Sequence, residues 1–123
     1  MTTKETATGG GAYVINRRDG RTDGEDWTEN VEGKPYGARI SIIQESTTEA
    51  GQGPRLHKHP YPETFIIRRG SALFTVDTEE FVGRAGQILV VPGDTPHKFK
   101  TLEGGYEAIH IHANDEFATV WLE

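Results

Sequence analysis

The chain has 123 residues, no cysteine and a formal net charge of −6. That length suits one domain with enough interior to fold without staples. The missing cysteine excludes disulfides, thiolate metal sites and cysteine nucleophiles and fits a cytoplasmic protein, and the acidic balance argues against general affinity for nucleic-acid phosphates.

From the N-terminus, residues 1–11 are rich in Thr and Gly and lack the apolar core of a secretory signal, so they read as a short disordered lead to a domain spanning 12–123. Nothing downstream approaches the ~20 apolar residues that a membrane helix needs, so no membrane partner is expected. Short apolar runs rich in Val, Ile and Phe predict strands at 12–16, 38–45, 55–59, 64–69, 72–77, 80–82, 87–91, 97–100 and 107–112. Gly and Pro, spread between these runs, supply the turns. Between the first two strands, residues 17–35 are dense in charge and Gly. They read either as a loop anchored by a buried Trp27, with Val31 beside it, or as a lid over a pocket. The basic cluster Arg17, Arg18 and Arg21 is surrounded by Asp19, Asp23, Glu25, Asp26 and Glu29 and reads as a solvated mixed-charge loop. No long stretch carries a 3.6-residue apolar period. Only the tail offers a short turn, capped by Asn114 and bearing Asp115 and Glu116, with Phe117, Val120 and Trp121 on one side. Many short strands and almost no helix predict an all-β sandwich or barrel.

The chemistry concentrates in the segment 51–70. Side chains at i and i+2 of a strand share a face, so His57 and His59 project together. Pro60-Tyr61-Pro62 forces a turn, because two of its three residues lack an amide hydrogen. Glu63 then opens the next strand, and with Phe65 and Ile67 facing inward its carboxylate lies beside the two imidazoles. A second block runs from Gly86 through Pro92 to His97 and Phe99. In a closed β-sandwich this second hairpin can set His97 opposite the first trio, which would give three imidazoles and one carboxylate, donors suited to divalent metals. His110 and His112 form another i, i+2 pair. They either line the pocket mouth, with an acid–base role, or meet solvent while Ile109 and Ile111 face the core; the apolar alternation favours the second reading. Tyr61, Phe65, Phe74 and Phe99 are either pocket walls or plain core. No Ser/His/Asp triad and no phosphate-binding glycine loop is supported.

These blocks resemble the two motifs of the cupin family. The first matches at every fixed position: Gly51, five residues, His57, one, His59, three, Glu63, six, Gly70. The second has Gly86, five residues, Pro92, then His97, and fifteen residues separate the blocks, as in small bacterial cupins. Asp94 stands where the pattern has Gly, with Gly93 beside it able to supply a positive φ, and Thr101 stands where the pattern ends in Asn. The resemblance implies a single-domain jelly-roll barrel holding a divalent metal at His57, His59, Glu63 and His97, with Fe(II), Mn(II), Ni(II), Co(II) and Zn(II) all compatible with the donors.

A small organic substrate follows, with three readings of the chemistry. The leading one is an oxygenase-type reaction at the metal. The second is a non-redox isomerase, lyase or cyclase in which His110 or His112 moves a proton. The third is a ligand-binding module without turnover. The resemblance also suggests a homodimer through sheet edges or terminal strands. Trp121 and Leu122 either seek cover in that dimer or fold back on their own domain.

Overall fold

The computed structural model of the protein describes residues 4–16 and 26–123. The Arg17, Arg18 and Arg21 cluster and the 17–25 part of the expected loop or lid lie outside the described residues. Strands β1 (Lys4–Ala7) and β2 (Tyr13–Asn16) pair antiparallel in a ribbon of their own, so part of the expected disordered lead is strand. Then follow β3 (Trp27–Val31), a 3-10 turn at Lys34–Tyr36, β4 (Ser41–Thr47), β5 (His57–Lys58), β6 (Glu63–Val76), β7 (Glu79–Arg84), β8 (Ile88–Val91), β9 (His97–His112) and β10 (Val120–Trp121). No described helix is long and apolar enough to cross a membrane.

Strands β3 to β10 form one curled sheet, the barrel expected from the sequence. Its spine is the antiparallel pair β6 and β9, matched from Glu63↔His112 to Val76↔His97. On the far edge of β9 lie β4 and β5, with β3 and β10 outside them, and on the far edge of β6 lie β7 and β8.

The two long strands replace four predicted short ones, because each crosses a glycine without breaking. Along β6 the inward residues are Glu63, Phe65 and Ile67, then Ala72 and Phe74. The change from odd to even positions falls where the register with β9 shifts, on either side of Gly70. Gly70 has φ +74°, and a Cβ there would lie 1.9 Å from the carbonyl oxygen of Gly105, so no other residue fits. Strand β9 makes the matching change: His97, Phe99 and Thr101 are buried first, then Tyr106, Ala108, His110 and His112.

This switch overturns the favoured reading of the histidine pair. His110 and His112 are 2% and 4% exposed and face the interior, while Ile109 and Ile111 lie on the outer face. Phe65, Ile67, Ala72, Phe74, Val91, Phe99, Tyr106 and Ala108 form the core. Phe65 and Phe74 meet edge-on at 5.2 Å, and burying each contributes about 2 kcal/mol.

Three further expectations are corrected. Residues 27–31 are strand, not loop, although Trp27 is buried as expected. Residues 113–116 bend without a helical turn; the Asn114 side chain donates to the Glu116 carbonyl, two residues on, as in a local turn. The positive φ in the turn before His97 belongs to Asp94 (57°) and not to Gly93. Asp can adopt that conformation, and the Asp94 N–H is fastened to the His59 carbonyl at 2.6 Å.

Candidate metal centre

Four elements bring the donors together. His57 opens β5 and pairs with His97 at the start of β9, and β10 covers β5 from the other side through Trp121↔His57. His59 leaves β5 just before the Pro60–Pro62 turn, and Glu63 begins β6 after it. All four side chains are buried, and their ligating atoms lie within 4.8 Å of one another.

Each of the three imidazoles has one nitrogen committed. Nδ1 of His57 faces the Arg55 carbonyl at 2.7 Å, Nδ1 of His59 the Ala118 carbonyl at 2.8 Å, and Nδ1 of His97 the Thr95 carbonyl at 2.8 Å. A carbonyl only accepts, so each Nδ1 carries a proton and each Nε2 points to the centre, the orientation that metal-ligating histidines need. Burial, ahead of the neighbouring imidazoles, pushes the His57 pKa down against the raising effect of the Arg55 carbonyl and keeps the ring neutral.

The spacing fits a bound ion. Oε1 of Glu63 lies 3.1 Å from Nε2 of both His59 and His97. Two ligands about 2.1 Å from one ion and at right angles sit about 3.0 Å apart. Nε2 of His59 is buried with no aligned hydrogen-bond partner, which a protein tolerates poorly unless something else fills the place. Burial would raise the Glu63 pKa, but the imidazoles of His112, His59 and His97 outweigh it and hold the carboxyl well below the usual range. The four residues are therefore suited to a divalent metal.

His110 and His112 stand behind Glu63, each oriented by a tyrosine. The Ala118 N–H donates to Tyr61 Oη at 3.2 Å, which leaves the Tyr61 hydroxyl hydrogen for Nδ1 of His112 at 2.7 Å. Nε2 of His112 then carries its proton on the side of Glu63 Oε2, 3.2 Å away. The Tyr106 hydroxyl meets Nε2 of His110 at 2.9 Å, while Nδ1 of His110 lies 3.8 Å from carboxylate oxygens of both Glu63 and Glu45. The tautomer with Nδ1–H facing the two carboxylates is favoured, because the alternative aims a lone pair at them. Burial pushes the His110 pKa down to about 4, so the ring is neutral at ordinary pH.

The donors line an open cavity of about 750 Å³ whose walls include Trp27, Glu45, Phe65, Phe99, Phe117 and Trp121. Of the aromatics expected as walls, Phe65 and Phe99 line it, Phe74 is core, and Tyr61 stacks behind His59 at 5.0 Å. Thr101, the departure from the motif, is structural: its hydroxyl donates to the Glu49 carbonyl at 2.7 Å and accepts from the Gln52 N–H at 3.0 Å, pinning the loop that leads to His57.

A cupin domain model matches residues 44–105, half of the chain. The chain belongs to the cupin family.

This cupin keeps its candidate donors on the inner face of the barrel. It is 33% identical over 61 residues to an uncharacterized protein of Methanocaldococcus jannaschii, covering 49% of each. It is 30% identical over 71 residues to the dimethylsulfoniopropionate lyase DddW of Ruegeria pomeroyi, covering 58% of this cupin and 47% of that protein. The chain thus spans about half the length of these curated relatives. Among solved structures it superposes on oxalate decarboxylase from Bacillus subtilis with a TM-score of 0.68 at 21% identity, over 83% of this chain and 29% of that one. The Lactobacillus farciminis oxalate decarboxylase gives 0.67 at 21%, over 83% and 33%. These likenesses establish the fold.

Sequence reasoning missed Glu45 and the closing strand β10. The first shares an inward face with Ile43, which faces His110 across the sheet, so strict alternation along β4 was the available signal. The second is two residues long and has no pattern of its own. Trp121 lies with its ring 5.2 Å from His57 and the Arg55 guanidinium 4.8 Å above it, yet stays half-exposed.

Proposed function

We propose that this cupin is a metal-dependent enzyme acting on a small organic molecule by non-redox chemistry, as a lyase or isomerase. The observation that carries the reading is the convergence of three imidazole Nε2 atoms and Glu63 Oε1 at the floor of an open cavity. Four protein ligands on an ion that accepts more leave positions for substrate, and a cavity of this volume suits a small molecule. Zn(II), Mn(II), Fe(II), Co(II) and Ni(II) all accept this donor set.

The ion, when bound, supplies Lewis acidity toward a substrate oxygen. The chain's own residues do the rest. The backbone carbonyls of Arg55, Thr95 and Ala118 orient the ligand rings, and Tyr61 and Tyr106 orient His112 and His110 behind Glu63. Phe65 and Phe99 form apolar wall. The lyase relative, similar over 58% of this chain, supports bond cleavage without an oxidant. An oxygenase-type reaction is the second reading, because three histidines and a carboxylate also suit non-haem iron.

Metal-loaded and chelator-treated protein, incubated with a small-molecule extract with and without air, separates the two. We expect product formation that needs the metal and is unchanged without oxygen. A strict oxygen requirement would contradict the non-redox reading, and equal turnover by the chelated protein would contradict metal dependence.

A further inference from the structure

We propose that Glu45 is the residue that exchanges a proton with the substrate, and that the substrate is a small carbonyl compound bearing a hydrogen on the carbon next to its carbonyl. This rests on the metal-dependent reading above.

Position is the first reason. In β4 Glu45 lies opposite Ala108 of β9 and Thr28 of β3, on the inward face that Ile43 shares with His110. The side chain is 22% exposed and lines the same cavity as the four donors. Its Oε2 lies 3.8 Å from Nδ1 of His110, which is itself 3.8 Å from Glu63 Oε2. Glu45 is therefore one imidazole removed from the ligand carboxylate, close to the centre yet outside the ligand set.

Elimination is the second reason. Among the described residues lining the cavity, the other acids are Glu63, Asp26 and Glu49. Glu63 is a ligand. Asp26 Oδ1 is held by the backbone N–H and hydroxyl of Thr48 at 2.7 and 3.1 Å, and Glu49 is exposed at the rim.

The protonation states agree with the geometry. Burial first, and the Glu63 charge second, push the Glu45 pKa up to about 7, so both of its forms are populated near neutrality. The groups around it offer less. From β9, His110 is a weak base whose Nε2 lone pair is taken by the Tyr106 hydroxyl, Nδ1 of His112 is taken by the Tyr61 hydroxyl, and Tyr106 has its pKa pushed up by burial and by the Glu45 and Glu63 charges. From β6 comes Glu63, from β3 the uncharged Thr28, and Asp26 and Glu49 stand at the rim. A bound divalent ion draws the Glu45 value down, since its charge favours carboxylate.

The step balances without an oxidant. The C–H bond beside the carbonyl breaks, its proton forms an O–H bond on the Glu45 carboxylate, and the electron pair moves to the carbonyl oxygen to give an enolate. Where the carbon that lost the proton bears a hydroxyl, transfer of that hydroxyl's proton to the enolate oxygen and return of the Glu45 proton to the former carbonyl carbon gives the carbonyl isomer. Departure of a β-substituent with its electron pair gives a lyase product, and Glu45 then releases its proton to the leaving group or to water.

The test is deuterium incorporation into hydroxyacetone in D₂O, followed by proton NMR with zinc-loaded protein. We expect exchange faster than with an equal concentration of free zinc, rising with pH to a plateau. The apparent pKa should fall between the ordinary carboxylate value of 4.5 and about 7. Glu45→Gln at equal zinc content should lose at least about tenfold in rate, and Glu45→Asp should keep part of it. Undiminished exchange by Glu45→Gln, or no exchange above free zinc by zinc-loaded wild type, overturns the proposal. Failure of the wild type to hold zinc would instead overturn the metal centre beneath it.

Discussion

Glu45 and His110 face each other at 3.8 Å, and burial drives both toward neutrality from opposite directions. The Glu45 carboxyl is raised from 4.5 to about 7 and the His110 ring lowered from 6.5 to about 4, with burial the largest cause of each. In the metal-free protein the consequences for stability have opposite signs. The folded state holds the Glu45 proton more tightly than the unfolded chain does, so its contribution is present below pH 4.5 and lost as pH rises through about 7. His110 resists protonation when folded, so its contribution is present above pH 6.5 and lost as pH falls toward about 4. Glu45→Gln removes the first term alone. In chelator-treated protein it should raise stability above pH 7 by on the order of 2 kcal/mol and leave the acid limb unchanged. Thermal midpoints measured from acid to alkaline pH check this, and an equal alkaline loss in wild type and variant would contradict it.

Among the elements, the short strands bear most directly on the site. Strand β10 pairs with β5 through Val120↔Lys58 and Trp121↔His57, and beyond it the Leu122 N–H reaches the Leu56 carbonyl at 2.9 Å. Strand β5 itself is two residues long and holds His57 largely through these neighbours. Deleting residues 120–123 keeps the Ala118 carbonyl on His59 but frees β5. Metal affinity should fall roughly 10–100-fold, as for loss of other outer supports of a metal ligand, with the barrel still folded; chelator competition and circular dichroism measure the two. Unchanged affinity would show that β5 is held without β10. The 51–70 hairpin was legible because proline, the i, i+2 rule and the motif spacing act within a few residues. The inward turn of His110 and His112 was not, because it depends on glycines several residues away in β9 and on the register shift at Gly70 of β6. Strand β3 was hidden by its charged neighbours: burial of Trp27 and Glu29 alternates with exposed Thr28 and Asn30, a strand period in a polar sequence.

At the scale of the whole molecule, the barrel works as a rigid frame around five histidines and one central glutamate. One end of its interior is packed with Phe65, Phe74, Phe99 and Tyr106, and the other is left open above the ligands. Composition and turn residues were enough to predict an all-β sandwich or barrel, since many short apolar strands are buried by packing or closing sheets, and the motif resemblance narrowed this to a barrel. The pocket walls were less legible, because an inward aromatic in this fold lines either core or cavity, and only the depth along the strand decides which.

Elemental analysis of tag-free protein, loaded with a divalent metal and dialysed, tests the metal centre most directly when wild type is compared with His59→Ala. The wild type should retain about one ion per chain, and the folded variant should retain only a small fraction of that, because its loss removes a ligand. Full metal content in folded His59→Ala, or a wild type that retains none, would contradict the account.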